Sequence, residues 1–195
     1  MKLNYEIIEV DDKELNISSA PILYINNFNT DFSSFVSAAN SLQSDFKVIL
    51  YNPYKYIDNV KVFDFDSIVI SLHEFIISLN LDSMHIISNG ISSLIANKFA
   101  HKYPDYVKSM IFEDFSIDFE IENESFVLDY SKINKPTLLM RGSKSKNIPP
   151  QQNQDIVMSN DLLRSTSVEN VENNSHFNNV ESFVSQASKF ISIFS

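Results

Sequence analysis

Cysteine is absent from the sequence, and glycine occurs only twice among its 195 residues. Without cysteine the chain forms no disulfide and no thiolate metal site, and it has no cysteine nucleophile, which fits a reducing compartment. No stretch approaches the roughly 20 uninterrupted apolar residues of a membrane-spanning helix, and residues 1–6 lack the apolar run of a secretory signal. We therefore expect a cytoplasmic protein that does not enter a membrane.

Positive charge is also scarce, because 15 lysine and arginine residues stand against 25 acidic residues and give a formal net charge of −10. Such a chain repels polyanions, since nonspecific binding of nucleic acid depends on cationic side chains that displace phosphate counterions. We expect neither nucleic acid nor an anionic membrane among its partners. The length and a hydrophobic content of 44% predict one domain, residues 1–195, with a sizeable core.

Alternating apolar and polar residues at 5–10 and 14–17 predict an opening antiparallel hairpin that turns at residues 11–13. Apolar runs typical of buried parallel strands follow, and segments of helical periodicity separate them. The predicted strands are 22–25, 48–51, 84–87, 109–112, 137–140 and 167–171, and the predicted helices are 31–44, 65–79, 91–103, 152–163 and 180–194. Residues 115–135 form an acidic, irregular excursion, either a docking surface for a basic partner or a solvated loop.

This alternation predicts a three-layer α/β/α domain with a mostly parallel, doubly wound sheet. The apolar stripe of the last helix, Phe183 to Ile191, fits packing on the sheet better than binding to a membrane or partner. The binding crevice of such a sheet lies at the carboxyl ends of its strands. Functional residues are therefore expected in the loops at that edge.

Residues 84–94 run from an apolar strand through a tight turn directly into a helix, which is the setting of a nucleophile elbow. The two backbones approach closely there and require small residues on both sides of the apex, where Ser88 and Ser92 stand. The apex is Gly90, which avoids a backbone strain of about 1–3 kcal/mol but offers no atom that attacks a substrate. Loss of a nucleophile lowers turnover by roughly a million-fold. A plain turn glycine in an ordinary doubly wound sheet is the alternative.

With this turn, the order of elements resembles the α/β-hydrolase family, in particular its small lipases, esterases and peroxidase-like members, across nearly the whole chain. The serine of the family's G-x-S-x-G elbow falls on Gly90, and Asn89 replaces the histidine that commonly precedes it. The His-Gly pair that begins the family's oxyanion loop falls on Asn26 and Asn27. A backbone donor near Phe28 is retained in this comparison. The family's helical lid is reduced to the short excursion at 115–135.

The resemblance also implies positions for the acid and the histidine of a catalytic triad. Residues 135–142 are similar to the strand that precedes the acid, but Ser145 stands where the acid is expected. His176 precedes the last helix as the family's catalytic histidine does, and it is the one triad member present. Some members carry the acid after the strand that here ends at Phe112, so Asp114 is a candidate partner of His176, with a solvated loop carboxylate as the alternative.

We therefore expect a non-catalytic α/β-hydrolase homologue, a pseudoenzyme that binds a small molecule or a protein partner at the old crevice. The competing hypothesis is a weak or atypical esterase-like hydrolase, or a lyase, that uses His176 with water or Asp114. Neither hypothesis implies a cofactor or a metal, and a homo-oligomer stays open. The expected ligand-binding residues are Asn26, Asn27, Phe28, Asn89, Gly90, Ile91 and His176.

Other hydroxyls and imidazoles have simpler interpretations. Ser88, Ser92 and Ser93 offer a displaced nucleophile only if they leave the packing between strand and helix, which residues beside an elbow apex rarely do. The remaining histidines are His73, His85 and His101, and their spacing is not that of metal ligands. We expect them to be structural or surface residues.

Overall fold

The computed structural model of the chain describes residues 5–8, 20–28, 30, 32–53, 64–121, 124–146 and 149–195. Its strands are β1 (Tyr5–Ile8), β2 (Ile22–Ile25), β3 (Val48–Tyr51), β4 (Met84–Asn89), β5 (Val107–Glu113), β6 (Asp118–Ile121), β7 (Glu124–Val127), β8 (Thr137–Gly142) and β9 (Leu163–Val168). Its α-helices are α1 (Val36–Leu42), α2 (Phe65–Ser78), α3 (Ser92–Lys102), α4 (Pro150–Met158), α5 (Ser175–Asn178) and α6 (Val180–Ile191). Three short 3₁₀ helices lie at Phe32–Ser34, Pro104–Tyr106 and Tyr130–Lys132.

Seven strands form the main sheet in the spatial order β1-β3-β2-β4-β5-β8-β9. Six of them are parallel, and β1 runs antiparallel to β3 at one edge. Their register places Asn89 of β4 beside Glu113 of β5, and Glu113 beside Met140 of β8. The polar residues that end β4 and β5 therefore meet at the carboxyl edge of the sheet. The prediction of a mostly parallel sheet is confirmed.

The two faces of the sheet carry separate apolar cores, because successive residues of a strand point to opposite sides. Leu23 and Ile25 of β2 pack in the core shared with α2, α3 and α4. Ile22 and Tyr24 of the same strand pack in the core shared with α1 and α6. The helices thus cover both faces, as the predicted three-layer architecture requires.

The apolar stripe of α6 belongs to the second core, since Phe183, Ala187, Phe190 and Ile191 are all buried. This confirms the interpretation of the stripe as a packing surface. Among the helices of the described residues, none has the length and apolar character needed to cross a membrane.

The acidic excursion is more regular than predicted. Within residues 115–135, β6 and β7 form an antiparallel hairpin, and a 3₁₀ turn follows at Tyr130–Lys132. The predicted helix 31–44 is shorter as well, because a 3₁₀ turn at Phe32–Ser34 precedes α1 and the chain leaves the helix at Gln43. Both differences arise in elements of only three or four residues, where tertiary packing decides the backbone more than periodicity does.

Two boundaries near the C-terminus also differ from prediction. The helix predicted at 152–163 spans Pro150–Met158, and the strand predicted at 167–171 spans Leu163–Val168. Leu163 is wholly buried in the first core as the start of a strand rather than the end of a helix. At the other end of the chain, β1 pairs with β3, and the strand predicted at 14–17 and the predicted turn at 11–13 lie outside the described residues.

Candidate active site

The carboxyl end of β5 and the start of α5 bring a buried carboxylate against a histidine. Glu113 is 0% exposed and His176 is 2% exposed. The His176 Nδ1 atom lies 2.6 Å from Glu113 Oε2, and the His176 backbone N–H donates to Glu113 Oε1 at 2.9 Å. A carboxylate at Nδ1 favours the tautomer with its proton there, which leaves the Nε2 lone pair to accept a proton. The pair thus has the form of a general base with its orienting acid.

Asn89, the last residue of β4, ties the elbow turn to both acidic side chains. Its Nδ2 atom donates to Glu113 Oε2 at 3.0 Å and lies 3.3 Å from Asp114 Oδ2. A buried carboxylate is tolerated only when hydrogen bonds replace its hydration. Three donor groups, from Asn89 and from the ring and backbone of His176, fill that role for Glu113.

Asp114, the acid predicted from the sequence, lies beside the pair and contacts the loop before His176. Its Oδ2 accepts from the Asn174 backbone N–H at 2.7 Å, and both residues have left-handed backbones, with φ of 49° and 54°. Its buried Oδ1 has no hydrogen-bond partner among the described residues. Burial raises the pKa of Asp114 to about 6 and the charge of Glu113 adds to the rise, while hydrogen bonds from Asn174 and Asn89 and the charge of His176 oppose it. The hydrogen-bonded acid of His176 is Glu113, which the sequence analysis missed.

On its other side, the imidazole faces a serine. The His176 Nε2 atom lies 3.2 Å from Ser34 Oγ, in the 3₁₀ turn that precedes α1. The next residue, Phe35, is buried and stacks on Tyr24 with ring centroids 3.7 Å apart, and its ring lies 5.4 Å from the His176 ring. Burial, with added effects from the Glu113 and Asp114 charges, raises the pKa of Tyr24 well above 10.0, so its phenol stays neutral. Sequence reasoning missed Ser34 because it gave that residue an ordinary helical position.

Gly90 stands at the turn between β4 and α3 with φ of 56°, and its backbone N–H donates to the Glu113 carbonyl at 2.9 Å. A Cβ atom at this position would lie 2.9 Å from both Asn27 Oδ1 and Asn27 Nδ2. The Asn27 amide therefore occupies the space in which an apex side chain would stand. The same Asn27 Oδ1 accepts the Phe28 backbone N–H at 2.8 Å, so the donor expected near Phe28 is engaged.

The other predicted site residues lie around this turn. Asn26 is buried and its Nδ2 donates to the Thr30 carbonyl at 2.7 Å, while Ile91 is 6% exposed. The three serines beside the apex are wholly buried. Ser92 Oγ donates to the Asn26 carbonyl at 2.5 Å, and the hydroxyls of Ser88 and Ser93 lie 3.3 Å from each other.

The remaining predicted positions lie apart from His176. Ser145 follows β8 in a turn in which its backbone N–H donates to the Gly142 carbonyl at 3.1 Å. His85 is buried with Nδ1 2.8 Å from Ser109 Oγ, and its pKa falls to about 4 because of burial and of the charge of Lys108. His73 stacks on Tyr103, and His101 Nδ1 lies 2.9 Å from the Asn97 carbonyl. Within the described ranges, no group of three or more metal-ligating side chains comes together.

An open groove of about 430 Å³ lies between α2, α3 and β7, lined by none of the residues around His176. Its lysines are largely paired with its acids. Lys98 Nζ lies 2.9 Å from Asp66 Oδ1, and Lys132 Nζ lies 2.9 Å from Asp129 Oδ2. The third lysine of the groove, Lys102, lies with Nζ 5.6 Å from the centroid of the Tyr103 ring.

No family model matches the sequence, and no curated protein matches it. Solved structures do match across the whole chain. An esterase from Thermogutta terrifontis aligns with a TM-score of 0.81 at 11% identity, covering 99% of this chain and 94% of its own. An enol-lactonase from Burkholderia xenovorans gives 0.77 at 12% identity, covering 97% and 96%. A marine microorganism esterase gives 0.77 at 15% identity, covering 97% and 99%. At these identities the likeness shows the fold alone.

Proposed function

We propose that this chain, which has the α/β-hydrolase fold, is an atypical hydrolase of small esters. In this hydrolase His176 is the general base, and Glu113 orients it. The observation that carries the proposal is the buried contact of His176 Nδ1 with Glu113 Oε2 at 2.6 Å, with Nε2 directed at a hydroxyl. The similar solved structures named as esterases and a lactonase support this class of reaction.

The energetics of the pair favour a working role. Removing one partner of a buried ion pair costs about 3–5 kcal/mol, yet replacing the whole pair by apolar residues is often neutral or stabilising. Stability alone therefore does not explain why the pair is present. Glu113 instead contacts both the imidazole and the backbone N–H of His176, and a third hydrogen bond, from Asn89, holds the carboxylate in place. Orientation of this kind raises the effectiveness of a general base.

The second candidate function is non-catalytic binding of a small molecule or a protein partner at the crevice between Asn27 and His176. The position of Asn27 favours it, because its amide fills the space above Gly90 and engages the Phe28 N–H that would polarise a substrate carbonyl. In either case we propose that the chain works in the cytoplasm, a proposal supported by its lack of cysteine.

Hydrolysis of p-nitrophenyl acetate by the purified chain separates the two functions. We expect wild-type hydrolysis above that of a heat-inactivated sample, and loss of this activity in His176→Ala. The matched control is His101→Ala, which removes an exposed imidazole on α3 and should leave the rate unchanged. Equal rates in wild type and His176→Ala, with both proteins shown to be folded by circular dichroism, would refute the proposed hydrolase activity. The binding function would then remain.

A further inference from the structure

The hydroxyl of Ser34, the imidazole of His176 and the carboxylate of Glu113 form a continuous chain of hydrogen-bonded groups. Ser34 Oγ lies 3.2 Å from His176 Nε2, and His176 Nδ1 lies 2.6 Å from Glu113 Oε2. Hydroxyl, imidazole and carboxylate in this order form the catalytic arrangement of serine hydrolases, which is recognised by geometry and not by chain position. From this geometry we propose that Ser34, outside the elbow, is the nucleophile that attacks small acyl esters. The inference rests on the proposed hydrolase function.

The backbone around Ser34 is fixed by aromatic packing that also touches the histidine. Phe35 N–H donates to the Phe32 carbonyl at 2.9 Å and closes the 3₁₀ turn. The Phe35 ring stacks on Tyr24 and meets Phe183 edge-on at 5.9 Å, and the His176 ring lies 6.1 Å from Phe183. Phe35, the neighbour of Ser34, and His176 thus belong to the same aromatic cluster. This packing supplies the preorganisation that a nucleophile and its base require.

Accessibility distinguishes Ser34 from the serines of the elbow. Ser34 is partly exposed, whereas Ser88, Ser92 and Ser93 are wholly buried. The elbow apex itself is Gly90, and the Asn27 amide fills the space above it. Ser34 therefore combines a hydroxyl within reach of the His176 Nε2 atom with access from solvent.

The reaction needs no group beyond the chain, the ester and water. Ser34 Oγ bonds to the acyl carbon while its proton passes to His176 Nε2. The bond between the acyl carbon and the alkoxy oxygen then breaks, and the imidazolium returns the proton to the leaving alkoxide. Water next attacks the acyl-serine, gives one proton to His176 and releases the carboxylic acid, and that proton returns to Ser34 Oγ.

The weak point of such a site is the stabilisation of the oxyanion, because Asn27 Oδ1 already accepts the Phe28 N–H. Loss of one oxyanion donor costs about 10²–10³ in kcat. An activated ester such as p-nitrophenyl acetate offsets this cost during acylation but not during deacylation. We therefore expect a burst of nitrophenolate followed by slow turnover, with the acetyl group retained on Ser34.

Peptide mass spectrometry after mixing with p-nitrophenyl acetate locates the acyl group. We expect acetylation of Ser34 in wild type, none in Ser34→Ala, and none at this residue in His176→Ala. Ser33→Ala is the matched control, because it removes an exposed hydroxyl one residue away in the same turn and should keep the burst. Steady-state hydrolysis should fall at least about 100-fold in Ser34→Ala. Acetylation of Ser33, or an unchanged rate in Ser34→Ala, would overturn the role of Ser34.

The outcomes keep the two proposals apart. If hydrolysis depends on His176 but not on Ser34, water is the nucleophile, and the proposed function stands while this inference fails. If it depends on neither, both fail.

A second measurement does not require turnover. Because the chain has no cysteine, Ser34→Cys introduces a single thiol whose alkylation by iodoacetamide is followed against pH. A thiol beside this imidazole should titrate below about 7, against about 8.5 for a free cysteine. Adding His176→Ala should return the titration to the ordinary value. An ordinary thiol pKa in folded Ser34→Cys would refute the coupling of residue 34 to His176.

Discussion

Replacement of Gly90 by serine tests how the space above the turn is occupied. The backbone φ of 56° costs a non-glycine residue about 1–3 kcal/mol. The new Cβ would also lie 2.9 Å from Asn27 Oδ1 and Nδ2, so the Asn27 amide must move. That movement breaks the hydrogen bond from Phe28 N–H, worth about 0.5–1.5 kcal/mol. The free energy of unfolding should therefore fall by about 1.5–4.5 kcal/mol in Gly90→Ser.

A double-variant cycle isolates the contribution of Asn27. Asn27→Ala loses the same hydrogen bond but removes the obstacle above Gly90. When Asn27→Ala is combined with Gly90→Ser, the hydrogen bond from Phe28 N–H is lost only once. The destabilisation of the double variant should therefore be about 0.5–1.5 kcal/mol smaller than the sum of the two single destabilisations. Gly90→Ala is the control, because it adds the Cβ without the hydroxyl and should cost nearly as much as Gly90→Ser.

Urea unfolding gives these free energies from the midpoint and slope of each transition. An unchanged midpoint in Gly90→Ser would refute the placement of Gly90 at the apex of a sharp turn. A destabilised Gly90→Ser with no coupling to Asn27→Ala would retain the turn but refute the occupation of the apex space by the Asn27 amide.

Three further changes test the surroundings of His176. In Glu113→Gln, the rate of ester hydrolysis should fall by a factor of about 10²–10⁴, because the imidazole loses the negative charge that stabilises its protonated form. If Glu113 were only structural, kcat of the folded variant would show no such fall. The pKa of Asp114 is about 6 in the folded chain, against 3.8 for an unperturbed aspartate. Between about pH 4 and 6 the folded chain therefore binds more protons than the unfolded chain, so the free energy of unfolding falls as the pH rises through that range. Asp114→Asn should remove this dependence and stabilise the chain near pH 7 by up to about 3 kcal/mol. Thermal melts across pH that match the wild type would contradict it. Asn27→Ala releases the Phe28 N–H from the Asn27 side chain and should raise kcat for p-nitrophenyl acetate, which deacylation limits, by up to about 100-fold. A constant kcat would show that this donor does not face the substrate.

The layers of the fold were predictable because each buried strand is a short apolar run in the sequence, and each covering helix has apolar residues at helical spacing. The runs at Ile22–Ile25 and Val48–Tyr51 coincide with the strands that form. The hairpin of β6 and β7 was not predicted, because each strand has only four residues and most of the described side chains are exposed, although residues 118–121 do alternate polar and apolar. Its partly buried members, Phe119 and Phe126, pack on the first core only through tertiary contacts.

The candidate site was predictable in part. The approach to Asn89 and Gly90 has the local pattern of an elbow, and His176 stands in the expected place before the last helix. Glu113 was missed because it closes an apolar strand and its carboxylate is wholly buried, which is unusual for glutamate. Two consecutive acids at the end of a strand were the available signal. Ser34 was missed because no local pattern shows that its hydroxyl lies beside His176, which comes 142 positions later in the chain.

The two glycines should differ in how well they tolerate substitution. Among the described residues, the other left-handed backbone positions are filled by asparagine or aspartate, at Asn80, Asp114, Asn170 and Asn174. A Cβ on Gly142 would lie 2.2 Å from the Val171 carbonyl oxygen, a backbone atom that has no rotamer by which to withdraw. Position 90 faces the Asn27 amide, which can move, and should accept asparagine with a moderate loss of stability. Position 142 should accept no substitute. A saturation library would then record one tolerant and one invariant glycine, and the invariant one would mark where the end of β8 fixes the loop that leads toward His176.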